Sequence, residues 1–228
     1  MDISILGFNR SLEDIRTNIE RTSHDGFTGY WVPNGRGSDA LTALSVIGPD
    51  VQMRLGTAVI PVHPRHPVAL AQQALTVNRV LNGRLNLGIG LSHRTMVEDE
   101  WGLSYGRPIQ YLSEYLDVLL PLLDGHRASV DGELISMHGE LDIDAPTCPV
   151  FVAALGPQML RLAGRKAAGT ITWMVGINTL RELTVPTVTA AAEMADRDAP
   201  EIVVGLPVCV TDDPTEARSR VTTSLRRY

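Results

Sequence analysis

Apolar residues along this chain fall into two alternating patterns: short unbroken runs, and longer stretches at helical spacing. The clearest instance lies between Val51 and Arg94. Val51–Ile60 is rich in β-branched and apolar residues and stops at Pro61, which predicts a buried strand. Pro61, Pro64 and Pro67 lack a backbone donor, so the PVHPRHP stretch is a loop. Val68–Leu81 places Leu70, Ala71, Ala74, Leu75, Val77, Val80 and Leu81 on one helical face, and Asn82-Gly83 closes it with residues tolerant of left-handed φ. Leu85–Gly90 is a second apolar strand. The unit is strand–helix–strand, which requires a parallel pair and a right-handed crossover.

The same alternation runs from end to end. Ile3–Gly7 reads as a strand and Ser11–Ser23 as a helix, with Glu13 and Asp14 in its first turn. Asp25-Gly26 breaks it, and Phe27–Val32 is strand two, ending at Pro33-Asn34-Gly35. Ser38-Asp39 caps a helix over Ala40–Ile47, and Gly48-Pro49-Asp50 turns into the unit above. Beyond His93 the TMVEDEWGLSYGRP stretch is irregular, then Ile109–Leu123 is helical. Residues 124–144 are glycine-punctuated and read as a hairpin insertion. Cys148–Ala154 is the fifth strand, Gln158–Lys166 its helix, and Gly169–Met174 the sixth strand. Thr179–Asp196 is a helix kinked or split at Pro186. Ile202–Val210 is the seventh strand, and Asp212-Asp213-Pro214 opens a last helix through Arg227.

Seven βα repeats in one domain spanning residues 1–228 point to an α/β barrel of parallel strands that lacks its eighth βα unit. Ligands of such barrels bind at the carboxyl ends of the strands. Seven strands leave two apolar edges, on Ile3–Gly7 and Ile202–Val210. The expectation is a truncated form of a longer protein, or a chain that depends on a partner subunit to cover the gap.

Composition narrows the class. With 44% hydrophobic and 20% charged residues, the chain is that of an ordinary water-soluble globule. A net charge of −6 argues against a nucleic-acid partner, which needs a basic face. Two cysteines, Cys148 and Cys209, suit a reducing compartment, and the first residues have no signal-peptide pattern. No apolar run reaches the ~18 residues of a membrane span. The expected setting is cytoplasmic, with a small-molecule substrate, no membrane partner and a homo-oligomeric state.

Candidate chemistry gathers at strand ends. In VFVAALGP a strand runs into Gly156-Pro157, with Pro157 at the first position of the next helix. Its free N–H groups and dipole suit a phosphate, although a plain tight turn would look the same. Gly88-Ile89-Gly90 lacks the third glycine of a dinucleotide fingerprint and reads first as packing. His63 and His66 lie in the Pro-rich loop, where histidines are ordinarily solvated. No histidine pair stands at ligand spacing with a carboxylate, so no metal site is expected. The Glu98-Asp99-Glu100 run reads as a solvated face, and no GxSxG or P-loop occurs. Trp31 and Trp173 end strands; packing accounts for them, and a π-face beside a planar cofactor is the sharper option.

LGTAVIPVHPRHPVALAQQALTV, GRLNLGIGLSHR, YGRP with its following helix, and VFVAALGPQMLRLAGRKAAGTITWM together resemble the bacterial luciferase-like superfamily. Within it they resemble the coenzyme F420-dependent oxidoreductases of actinobacteria, from Met1 to about Arg220. The resemblance implies a TIM-like (β/α)8 barrel holding a deazaflavin or flavin at its C-terminal mouth. It implies a non-proline cis peptide at Ala58–Val59 on a bulge that supports the ring, with Thr57, Ala58 and Val59 in contact with the cofactor. It also implies a phosphate loop at Ala154, Leu155 and Gly156, and cofactor contacts at Gly90, Ser92, His93, Thr172 and Trp173. Relatives place a histidine after strand two where this chain has Asn34, which cannot protonate a substrate near neutral pH; His93 is the nearest substitute. Asn34 and His93 are therefore the candidate catalytic residues. The eighth strand and helix of the family have no match. The implied activity is F420-dependent hydride transfer between deazaflavin C5 and a small organic substrate. The alternatives are an FMN-dependent luciferase-like monooxygenase and a non-catalytic truncated cofactor-binding barrel.

Overall fold

A computed structural model describes residues 2–8 and 11–225. In chain order the first elements are β1 (Ser4–Leu6), α1 (Leu12–His24), β2 (Gly29–Val32), α2 (Ala40–Ile47), β3 (Arg54–Thr57), β4 (Ile60–Pro61), α3 (Pro67–Val80) and β5 (Leu85–Gly90). Then come α4 (Pro108–Leu123), β6 (Ala128–Asp131), β7 (Ser136–Gly139), β8 (Val150–Ala153), α5 (Pro157–Lys166) and β9 (Gly169–Trp173). The chain closes with α6 (Ile177–Thr179), α7 (Val185–Glu193), β10 (Glu201–Gly205) and α8 (Pro214–Leu225). The expected extension of the last helix to Arg227 lies outside the described residues.

The main sheet runs β1-β2-β3-β5-β8-β9-β10, all parallel, with β4 continuing β3 alongside β5. It curls into a barrel that stays open between β1 and β10, so the expected seven-stave form is the one observed. A cavity of about 450 Å³ occupies the gap, walled by Leu6, Trp31, Ala58, Ile171 and Val203. At the foot of the barrel Arg54 spans the opening, pairing with Asp2 at 3.4 Å and Glu201 at 3.1 Å. β6 and β7 form an antiparallel hairpin outside the sheet. The Glu114 carboxylate of α4 fastens it, accepting the Leu134 and Ile135 N–H groups at 2.8 and 2.9 Å.

Two chemistries hold these layers together. Between sheet and helices lie aliphatic side chains such as Leu41, Leu44, Leu55, Leu70, Leu116 and Leu160, all fully buried. Inside the barrel, aromatic rings fill space that glycines leave. A Cβ on Gly56 would sit 2.3 Å from the Trp31 ring, which meets Phe151 edge-on at 5.7 Å. That packing accounts for Trp31, which is 8% exposed.

Where boundaries differ from expectation, a named bond accounts for it. Strand three begins at Arg54 because the carbonyls of Gly48, Val51 and Met53 are taken by the Arg84 guanidinium at 3.1, 2.6 and 3.2 Å. Residues 51–53 therefore face a side chain where a ladder would need a strand. β10 ends at Gly205, whose carbonyl accepts Met174 N–H at 2.8 Å, and Leu206, Val208 and Val210 beyond it are exposed. The stretch after His93 contains a π-helical turn over Met96–Glu100, closed by Trp101 N–H to Met96 O at 3.1 Å. A second π-helical turn, Leu180–Thr184, leads into α7 and splits the helix expected over Thr179–Asp196, with Pro186 in the first turn of α7.

Candidate functional site

The mouth of the barrel is shaped first by a slip in register. Leu55 and Gly56 pair with Leu85 and Asn86, but Ile60 and Pro61 pair with Ile89 and Gly90. Four steps on one strand thus match three on the other, and Thr57, Ala58 and Val59 bulge out of the ladder. The Ala58–Val59 peptide bond is cis, as the resemblance implied. Thr57 repairs the ladder across the slip. Its Oγ1 donates to Gly88 O at 2.8 Å and accepts Gly88 N–H at 2.9 Å. Gly88 comes so close that a Cβ there would lie 1.9 Å from Thr57 O, so this glycine serves packing. The Thr57 side chain is fully buried and engaged, which leaves it a supporting place beneath the bulge.

Above Thr57 the surface opens. Ala58 and Val59 are half-buried, and Gly90 lies against both Val59 and Ala153. Ala154 N–H donates to Ile171 O at 3.1 Å, tying the end of β8 to β9. Leu155 is 55% exposed. Gly156 is the N-cap of α5, with φ −87° and no side-chain capping bond, and a Cβ there would meet nothing within 4 Å. The first-turn amides of α5 thus face open space uncapped, which is what an anion requires. Trp173 is half-buried at the rim, 5.8 Å from the Phe8 ring. Thr172, its neighbour, is fully buried; alternation along β9 puts it with Thr170 on the sheet face opposite Ile171 and Trp173. Its backbone, and not its hydroxyl, is what lies near the mouth.

The two candidate catalytic residues sit on loops at the same end, after β2 and after β5, two strands that β3 separates in the sheet. Asn34 follows β2, and its Oδ1 accepts the Ala40 N–H at the start of α2 at 2.9 Å. That bond fixes the amide orientation: the oxygen braces the helix, and Nδ2 is the end turned to donate elsewhere. His93 follows β5 and is exposed, its carbonyl accepting Val97 N–H at 3.0 Å. Ser92 before it has φ 66°, in the left-handed region, with Oγ 3.3 Å from Met96 Sδ.

Next to these lies a cluster that spacing along the chain could not reveal. His63, expected to be solvated, is half-buried between Tyr111, at 4.9 Å and 4°, and Tyr105, at 5.4 Å and 21°. Arg94 covers the Tyr105 ring at 4.8 Å. The members come from separate segments, brought together only by the barrel. Burial lowers the His63 pKa, opposed by its bond to Leu91 O. Burial raises both tyrosines, with Arg94 opposing the rise at Tyr105. A strut of charge holds the neighbouring loop: Asp39 accepts Thr42 N–H at 2.9 Å and pairs with Arg65.

The hairpin carries a decoy. Ser129 Oγ, His138 and Asp131 form a chain, 3.0 Å to Nδ1 and 3.1 Å from Nε2 to Oδ1. All three are exposed on one face of a two-stranded ribbon that shapes no pocket for a substrate, so the likeness to a hydrolytic triad is superficial. Among the described residues no three of His, Cys, Asp and Glu gather where they could hold a metal ion, and no helix is long and apolar enough to cross a membrane.

Known proteins share this architecture. The chain is 27% identical over 202 residues to 5,10-methylenetetrahydromethanopterin reductase of Methanolobus tindarius, covering 86% of this chain and 60% of that protein. It is 28% identical over 208 residues to F420-dependent glucose-6-phosphate dehydrogenase of Rhodococcus hoagii, covering 86% and 61%. The solved coenzyme F420-dependent tetrahydromethanopterin reductase of Methanopyrus kandleri superposes with a TM-score of 0.76 at 21% identity, over 90% of this chain and 64% of that one. The chain thus spans about 60% of the length of the curated relatives it matches. The profile of the luciferase-like monooxygenases matches residues 4–228, and the chain belongs to that family.

Proposed function

We propose that this chain belongs to an F420-dependent oxidoreductase and holds the deazaflavin at the mouth of the open barrel. The observation that carries the reading is the pairing of two features at one end of the sheet. An uncapped helix N-terminus beside the unobstructed Gly156 accompanies a half-exposed apolar shelf at Ala58 and Val59, backed by the buried Gly90. The first suits a phosphate and the second a flat ring, so the residues present fit the cofactor. The names of the Rhodococcus hoagii dehydrogenase and the Methanopyrus kandleri reductase support the same cofactor. When bound, it supplies a hydride exchanged between its C5 and a small organic substrate.

The chain's own residues would bind, orient and handle protons. The backbone of Ala154, Leu155 and Gly156 and the first turn of α5 would hold the phosphate. Ala58, Val59 and Gly90 would carry the ring, with Thr57 bracing them from beneath and Trp173 at the rim. Ser92 and the backbone of Thr172 are further contacts in this reading. Asn34 Nδ2 would donate to a ring carbonyl, and His93 is the group that can hold or release a proton beside the substrate. The family description favours a second reading, an FMN-dependent monooxygenase, because the same loop would accept the FMN phosphate.

Fluorescence titration of the wild-type chain and Gly156→Asp with F420 tests the site. The added carboxylate faces open space, so the fold should survive while affinity falls by about ten-fold or more, roughly 1.4 kcal/mol. Equal affinity would put the phosphate elsewhere, and no binding by the wild type would remove the proposal.

A further inference from the structure

The candidate cofactor loop after β5 is held from outside the barrel, and the hold runs through His63. A carbonyl only accepts, so the 3.0 Å contact between His63 Nδ1 and Leu91 O places the proton on Nδ1. Nε2 is then left as a lone-pair acceptor, and it is buried without a hydrogen-bond partner among the described residues. The stack resists tilting of the ring, with Tyr111 4.9 Å and Tyr105 5.4 Å away between centroids and nearly parallel to it. Tyr105 adds a second, longer tie: its hydroxyl donates to Ser92 O at 3.4 Å. Two successive carbonyls, of Leu91 and Ser92, are thus drawn outward by side chains from two other segments. Ser92 between those ties and His93 has φ 66°, a conformation that a residue with a side chain avoids unless its surroundings enforce it.

We propose that His63 is a positioning residue: its neutral imidazole holds the Leu91 carbonyl and keeps the Ser92–His93 turn in the shape that meets the cofactor. The bearing on cofactor binding rests on the F420 reading; the hold on the turn does not. The neutral form is essential to it. A second proton would turn the buried Nε2 into a charged donor with nothing to receive it, and the ring would have to swing out to water, releasing Leu91 O. The charged and titratable groups around it agree. Tyr111 and, behind it, Tyr115 come from α4, both held protonated by burial. Tyr105 comes from the preceding loop and Arg94 from the β5 loop, its cation over the Tyr105 ring and paired with Glu98. On the His63 loop Arg65 pairs with Asp39, and His66 caps α3. Among the described residues no carboxylate acts on His63 to favour its cation.

Hydrogen exchange over residues 91–97 of the ligand-free chain, corrected for intrinsic rates, reads the hold directly. His63→Phe keeps a ring in the stack and removes the donor; His63→Asn supplies an amide donor in place of Nδ1 and cannot titrate. His63→Phe should exchange about five-fold faster or more over this segment and bind F420 more weakly by a similar factor, while His63→Asn stays near wild type. Between about pH 7.5 and about pH 5 the wild-type segment should loosen and that of His63→Asn should not. Wild-type exchange in His63→Phe, or loosening at acid pH that persists in His63→Asn, would overturn the proposal. Should His63→Phe not fold, the pH comparison decides alone. Should the wild type not bind F420, the exchange data still decide the hold, and the F420 reading is what fails.

Discussion

Replacing Thr57 by valine asks how much the mouth depends on one hydroxyl. The two side chains have the same shape, so the change deletes two hydrogen bonds and little else. The Gly88 N–H and carbonyl, bonded to Oγ1 at 2.9 and 2.8 Å, would lose that partner inside a fully buried stretch of β5. A buried backbone group left unpaired costs about 1–3 kcal/mol, so the pair together should cost about 2–4 kcal/mol after local relaxation. Thr57→Ser keeps the hydroxyl and removes one methyl, with an expected loss of about 1 kcal/mol. Urea unfolding followed by far-ultraviolet circular dichroism measures both. The order should be wild type, serine, valine, with valine also weakening F420 binding because the bulge above it loses its brace. A valine variant within about 0.5 kcal/mol of wild type would refute the reasoning, since it would mean that Gly88 finds other partners at no cost.

Two more outcomes follow from the same chemistry. Burial pushes the Cys148 thiol up to about 12, whereas Cys209 is exposed, so alkylation of the folded chain at neutral pH should modify Cys209 alone; label on Cys148 without denaturant would contradict the packing. Burial opposes ionisation of Asp39, but its bonds to Thr42 and its pairing with Arg65 outweigh it and hold the carboxyl below its ordinary value. Its folded pKa is depressed, so its contribution is complete above about pH 4 and disappears as pH falls through the depressed value. Asp39→Asn should therefore be less stable than wild type in urea at neutral pH, and the gap should close in acid; a gap unchanged at low pH would contradict it.

The parts legible in the sequence were those set by local rules. α2 runs over Ala40–Ile47 as the Ser38-Asp39 cap and apolar spacing predict, because capping and helical periodicity involve neighbours in the chain. Leu85–Gly90 was legible as a short, largely apolar run, and all six of its residues are buried. What stayed hidden depends on residues far apart. The late start of β3 is caused by Arg84, some thirty residues on. The engagement of Thr57 with Gly88 and of Asn34 with Ala40 alters what those side chains can offer a ligand, and neither bond leaves a mark in composition. The His63 stack draws on residues 63, 105 and 111, whose spacing follows no helix or strand period. The register slip is intermediate: the residues of the bulge came from family resemblance, while its size, one extra residue against β5, is visible only in the pairing.

Competitive titration of the purified chain with F420 and FMN, followed by fluorescence, tests the central claim most directly. The account predicts that F420 binds at least about ten-fold more tightly than FMN, a margin of roughly 1.4 kcal/mol. Equal affinity for the two, or a preference for FMN, would contradict it.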